Sequence, residues 1–168
     1  ILWNIEPSWE HAYSSEQDHW KRTLKIADIL QKTGLEIVIS LHPLCKLETY
    51  TFLEERPKFA ISRSTSIFEL YPLCLFSVSF ICSTNFLADF FDVDLVLFDW
   101  KGMASPTGPS VIDHYIENAI HAGTLDKLEK VVAALAIRNV AKPIPSSQLM
   151  PNFRPACPQI ANELRNLV

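Results

Sequence analysis

The sequence predicts an α/β protein: a three-layer, mostly parallel sheet of about five strands with helices on both faces. Three observations predict it. Short β-branched apolar runs recur at intervals of roughly 20 to 35 residues, and segments of helical period lie between them, as βαβ crossovers require. The 168 residues, 48% of them hydrophobic, suffice for one core, whereas two halves would each be marginal.

Ile1 to Ile5 is the first strand; Glu6-Pro7 ends it, because proline cannot extend a ladder, and opens a loop holding Glu10, His11, Tyr13 and Ser14. Ser15 followed by Asp18 is a capping signal, and Trp20, Leu24, Ala27 and Leu30 then mark an amphipathic helix that stops at Gly34. Leu35 to Leu41 reads as a strand buried on both faces and delivers His42-Pro43 at its carboxyl end. Leu47, Tyr50 and Leu53 mark a second helix ending near Pro57. Phe59 to Ser62 is a short strand, and Ile67 to Leu70 a helical turn before Pro72. Leu75 to Cys82 is a fourth strand, Ser83 to Phe91 a short helix and Asp94 to Trp100 a fifth strand. A loop with Gly102, Pro106, Gly108 and Pro109 follows, with a helix from Ser110 to about Ala122 and another from Thr124 through Leu135; the sheet is expected to have ended by then. Domain boundaries follow: one domain over 1–141, an extended Pro-rich connection over 142–158 and a last helix over 159–168.

Composition excludes several classes of function. Fifteen Lys plus Arg against 19 Asp plus Glu leave a net charge of −4, without the basic footprint of a nucleic-acid binder. No apolar run reaches the roughly 18 to 20 residues that cross a bilayer. The chain begins at Ile1 without a signal-peptide pattern, which reads as an excised or processed piece, and a cytoplasmic setting is expected. Cys45, Cys74, Cys82 and Cys157 form no C-x-x-C pair, so neither zinc nor any other metal is expected, and reduced thiols are the simplest reading. G-x-G-x-x-G, G-x-x-x-x-G-K-[ST], G-x-S-x-G and H-E-x-x-H are all absent. With four glycines no glycine-rich phosphate loop can be built, and no resident cofactor is expected.

In a parallel sheet, ligands bind at the carboxyl ends of the strands. Three groups fall there: Glu10-His11 after the first strand, His42 after the second and Ser83-Thr84 after the fourth. Hydroxyls at a helix start, with its free N–H groups, suit a phosphate. An ordinary N-cap explains Ser83-Thr84 as well, a turn histidine explains His42, and a polar loop explains Glu10-His11. Asp92, Asp94 and Asp99 read as solvated strand ends.

V-I-S-L-H-P at 38–43, L-E-T-Y-T-F-L-E-E at 47–55, E-L-Y-P-L-C at 69–74 and V-S-F-I-C-S-T at 78–84 stand in an order that resembles a known family. Over roughly residues 1–138 the chain resembles the C-terminal, nucleotide-sugar-binding half of two-domain GT-B glycosyltransferases and UDP-N-acetylglucosamine 2-epimerase-like proteins. The resemblance implies a Rossmann-like domain of the GT-B C-terminal type, with His42, Ser83 and Thr84 facing the donor's phosphates and sugar and with Glu10 and His11 at the same edge. Where relatives carry an acidic ribose contact and a G-[KT]-P-V turn, this chain reads L-A-D-F-F-D-V-D-L-V, and Asp89 stands in for that contact. Sialyl- and Kdo-transferases show a similar H-P and S-[ST] pair, so the donor base stays open between UDP and CMP. The implied function is donor binding within a glycosyltransferase of surface or capsular polysaccharide synthesis, with a 2-epimerase-like enzyme as the alternative. The implied partners are the nucleotide-sugar and an N-terminal acceptor domain. No catalytic residue is assigned, and this piece alone is expected to bind rather than catalyse. A flavodoxin-like module that binds a protein or a small ligand is the non-enzymatic alternative.

Overall fold

The computed structural model describes residues 1–8, 14–80, 82–98 and 119–140. Its strands are β1 (Leu2–Ile5), β2 (Ile37–Leu41), β3 (Phe59–Ile61), β4 (Phe76–Ser79), β5 (Asp94–Leu97) and β6 (Ile120–His121). Its helices are α1 (Glu16–Gln31), α2 (Leu47–Tyr50), α3 (Ile67–Leu70), α4 (Phe86–Phe90) and α5 (Leu125–Val140). Short 3₁₀ turns extend α2 and α3 at Thr51–Glu55 and Tyr71–Leu73 and precede α4 at Ser83–Asn85.

The sheet runs β3-β2-β1-β4-β5-β6 with every neighbouring pair parallel. This is the doubly wound order, and it reverses between β1 and β4. The flavodoxin-like alternative requires 2-1-3-4-5 and does not fit.

Alternation along each strand builds the three layers. Trp3, Ile5, Ile37, Ile39, Phe76, Val78 and Val96 turn to the face covered by α1 and α5. Leu2, Leu95 and Leu97 turn to the opposite face, against Tyr71, Leu87 and Ala88.

Helix α1 starts where the sequence places it: the Ser15 hydroxyl accepts from the Asp18 amide at 3.1 Å and donates to the Asp18 carboxylate at 2.9 Å. It stops before Gly34, whose φ of +69° is the left-handed conformation that glycine adopts without strain. The buried stripe differs from expectation. His19, Thr23, Ile26, Ala27 and Leu30 face inward, while Leu24 is 40% exposed. Trp20 packs on Tyr50 and Phe52 at ring separations of 4.9 and 5.7 Å, at the edge of the core rather than within it. Helix α5 carries Leu128, Val132, Leu135 and Ala136 at helical spacing onto the same face.

Three local expectations are corrected. The second helix gives way to 3₁₀ geometry after Tyr50, where the Thr49 and Thr51 hydroxyls bond back to the carbonyls of Lys46 and Glu48 at 2.6 and 3.0 Å. The fourth strand ends at Ser79 instead of Cys82, because Asn85 Nδ2 takes the Phe80 carbonyl at 2.6 Å. The sheet does not end at β5: Ile120-His121, expected as the last turn of a helix, pairs with Val96 and Leu97. An open β5 edge would leave ladder groups unpaired, and this strand satisfies them.

The connection expected at 142–158, the helix expected at 159–168 and the start of the helix expected from Ser110 lie outside the described residues. No described helix is long and apolar enough to cross a membrane.

Candidate functional site

The reversal of strand order opens a crevice where the carboxyl ends of β1 and β4 diverge. Its volume is about 400 Å³, and it extends along the ends of β2 and β3. Asn4 and Ser40, register partners on β1 and β2, lie on its floor. Asn4 is 5% exposed; its Nδ2 donates to the Tyr71 hydroxyl at 3.2 Å, and its Oδ1 has no partner among the described residues.

His42 stands at the β2 end. Its amide extends the β1–β2 ladder by donating to the Ile5 carbonyl at 3.1 Å, and its carbonyl accepts from Cys45 at 2.8 Å, closing a turn around Pro43. Its Nδ1 accepts from the Leu44 amide at 3.2 Å. A ring nitrogen that accepts carries no proton, so in the neutral ring the proton sits on Nε2. The turn histidine weighed from sequence is thus real, and it still lines the crevice.

Thr84 lines the crevice from the β4 side, with Oγ1 3.0 Å from Cys82 Sγ. Ser83 opens the 3₁₀ turn before α4. The five-residue α4 is a weaker dipole than the helix expected over 83–91, so side-chain groups rather than a macrodipole define this corner.

The structure therefore brings His42 and Thr84 to one crevice and leaves Asp89 apart. Asp89 is exposed on α4 and lines a separate cavity of about 190 Å³ with Asp92 and Asp94, at the amino edge of β5. Asp94 there receives the Arg138 guanidinium. Glu10 and His11 lie outside the described residues. Among the described residues no His, Cys, Asp or Glu cluster is arranged to hold a metal.

Several groups at this edge were not singled out from sequence. Glu6, the residue after β1, lines the crevice and also a water-sized cavity of about 30 Å³ beneath α1. Burial pushes its carboxyl up to about 7, against the opposing effect of a hydrogen bond from the Cys82 thiol. Burial and then the Glu6 charge push that thiol up to about 11. Residues 62–66, Ser-Arg-Ser-Thr-Ser, form the outer wall. Arg63 is held by a two-armed contact with Glu54, one arm at 2.8 Å, and Glu54 also accepts from the Ile61 amide at 3.1 Å. Ser66 closes a capping box with Glu69, a pattern legible as S-x-x-E before an apolar turn.

Beneath α1, His19 is buried between Ser8 Oγ at Nδ1, 2.7 Å, and the Tyr50 hydroxyl at Nε2, 2.9 Å. Burial, reinforced by Arg22, lowers its imidazole to about 4, so it is neutral near pH 7. Arg22 donates to the same Ser8 hydroxyl and lies 5.9 Å from the Phe80 ring centre.

No family model matches this sequence, and no curated protein matches it. Among solved structures, the glycotransferase of kitacinnamycin is similar, with a TM-score of 0.54 at 11% identity over 88% of this chain. The chain spans 36% of that protein's length. At such identity the likeness establishes the fold: a Rossmann-like α/β domain of the kind found in a glycosyltransferase.

Proposed function

We propose that the chain is the donor-binding domain of a GT-B type glycosyltransferase, and that the crevice at the β1/β4 reversal takes the phosphates and sugar of a nucleotide-sugar. The observation that carries the reading is the meeting of His42 and Thr84 in one crevice of about 400 Å³ at the topological switch point. That volume suits part of a nucleotide-sugar, and the remainder of such a ligand faces a second domain in two-domain enzymes of this type. His42 contributes an imidazole, Thr84 and the 62–66 loop contribute hydroxyls, and Arg63, paired with Glu54, contributes a guanidinium at the rim. These groups supply what glycine-rich loops supply elsewhere, consistent with a sequence of only four glycines. Ser83 belongs to the same corner by position, Glu10 and His11 are proposed for the same edge, and 1–141 is proposed as the domain. A role in surface or capsular polysaccharide synthesis, with the acceptor bound by a separate N-terminal domain, is the setting we infer. A 2-epimerase-like enzyme would use the same crevice.

Calorimetry with UDP, CMP and their sugars tests the reading. A hydrogen bond to a charged partner contributes about 1.5 to 3 kcal/mol, so His42→Ala, or Ser83→Ala with Thr84→Ala, should weaken phosphate-bearing ligands by roughly tenfold to a hundredfold per bond. Nucleosides should lose far less. Equal binding by parent and variants, or no nucleotide binding by the parent, contradicts the assignment.

A further inference from the structure

Glu6 is the single carboxyl among the described residues that line the crevice, and an anionic ligand would meet it at the crevice floor. A carboxylate there would repel a phosphate, whereas a neutral carboxylic acid donates a hydrogen bond to one. Its surroundings favour the neutral form. Among the described residues no cationic nitrogen lies within 4 Å of it, and its hydrogen-bond partner is a thiol, not a guanidinium or ammonium.

We propose that Glu6 engages the ligand as a neutral acid, donating its proton to a phosphate or sugar oxygen, so that binding in this crevice takes up a proton when the free protein is ionised. The proposal rests on the crevice being a nucleotide-sugar site and adds a protonation requirement to it. No bond to the ligand is made or broken; the proton stays between the Glu6 carboxyl and the ligand oxygen.

Among the described residues, the other titratable or charged groups facing the two cavities that Glu6 lines are His19 and Arg22 on α1, His42 after β2, Arg63 after β3 and Cys82 after β4. His19, lowered to about 4, and Cys82, raised to about 11, do not change charge between pH 6 and 8.5, and the two arginines stay protonated. Glu6, raised to about 7, changes charge within that range. Among the described residues His42 is the group to be separated by experiment, and His11, proposed for the same edge, is separated with it.

The test uses UDP-N-acetylglucosamine and a CMP-linked sugar, whose esterified phosphates do not titrate near neutrality. Titrations are run in buffers of different ionisation heat at about pH 6 and about pH 8.5. If only the neutral acid binds, affinity falls roughly thirtyfold between those pH values, and binding at the upper one takes up about one proton. Glu6→Gln keeps a neutral donor and should bind with neither the fall nor the uptake. Removing the thiol that favours the carboxylate while keeping Glu6 covered, by Cys82→Val, should retain the fall and move its midpoint upward; this variant serves if Glu6→Gln does not fold. His42→Gln should bind more weakly yet keep the fall, and His11→Gln should keep the fall as well. Binding by the parent that does not depend on pH, a fall that survives in Glu6→Gln, or an unmoved midpoint in Cys82→Val overturns the proposal while leaving the site reading intact. A parent that binds neither sugar nucleotide at either pH overturns both.

Discussion

Glu6→Gln should change how the stability of the fold depends on pH, and the size of the change follows from two buried groups of opposite sign. Glu6 ordinarily titrates at 4.5 and is raised to about 7. The folded state therefore holds a proton that the unfolded chain has released, and stability falls as pH rises from 4.5 to 7, by about 3 kcal/mol in all. His19 ordinarily titrates at 6.5 and is lowered to about 4. There the unfolded chain holds the extra proton, so stability rises by about 3 kcal/mol as pH rises from 4 to 6.5. Between 4.5 and 6.5 the two slopes oppose each other and the parent should be nearly level, with the Glu6 loss emerging between 6.5 and 7. Glutamine removes the Glu6 slope and unmasks that of His19. The variant should match the parent near pH 4.5 and exceed it by about 3 kcal/mol at pH 8, which for a chain of this size is roughly 6 to 12 °C in Tm. Urea denaturation across pH 4 to 8 reads both slopes. Parallel profiles for parent and variant would refute the burial account of Glu6, and a variant level from pH 4 to 6.5 would refute that of His19.

Other outcomes are equally specific. Phe76→Ala, at a fully buried position in the central strand β4, should cost about 3 to 5 kcal/mol in urea unfolding, and a loss under about 1 kcal/mol would place Phe76 outside the core. Arg63→Met should weaken sugar-nucleotide binding and reduce its dependence on salt, with melting little altered; an unchanged salt dependence places Arg63 outside the site. Asp89→Asn should leave sugar-nucleotide affinity unchanged by calorimetry, since Asp89 lies in a cavity at the other edge of the sheet, and a marked loss would restore it to the site. Deleting 143–168 should preserve a cooperative melt, because the apolar faces of β1 to β5, α1 and α5 already cover one another; loss of cooperativity would make that segment part of this core.

The sheet was legible because its strands announce themselves locally: Ile37–Leu41 and Asp94–Leu97 are short β-branched or leucine-rich runs bounded by breakers. Strand β6 was not, since Ile120-His121 becomes a strand only through the β5 edge that it meets, a tertiary cause with no local signal. The rotation of α1 was misread for a related reason. Periodicity selects Leu24, whereas His19 and Thr23 are the residues turned inward, His19 because Ser8 and Tyr50 satisfy both its nitrogens. At the crevice, His42 was legible because it directly follows the apolar run that becomes β2, and Thr84 because it stands two residues after the apolar run 75–82, although β4 itself ends at Ser79. Glu6 follows one too, but Glu-Pro reads first as a strand terminator, and what gives the carboxyl its character, burial beside Cys82, joins positions 76 residues apart. Asp89 was assigned by likeness to a motif that this chain departs from, and α4 carries it to the far edge of the sheet.

The central claim is that the carboxyl edge around the β1/β4 reversal receives a nucleotide-sugar. Backbone amide NMR of the full chain, titrated with UDP, CMP and their sugars, tests it most directly. The account predicts saturable shifts concentrated at Ser40 to His42, Ser62 to Ser66 and Thr84, the residues that line the crevice. Absence of shifts with every one of these ligands would contradict it, as would shifts confined to the opposite edge, at the cavity lined by Ile1, Glu36, Leu70 and Leu73.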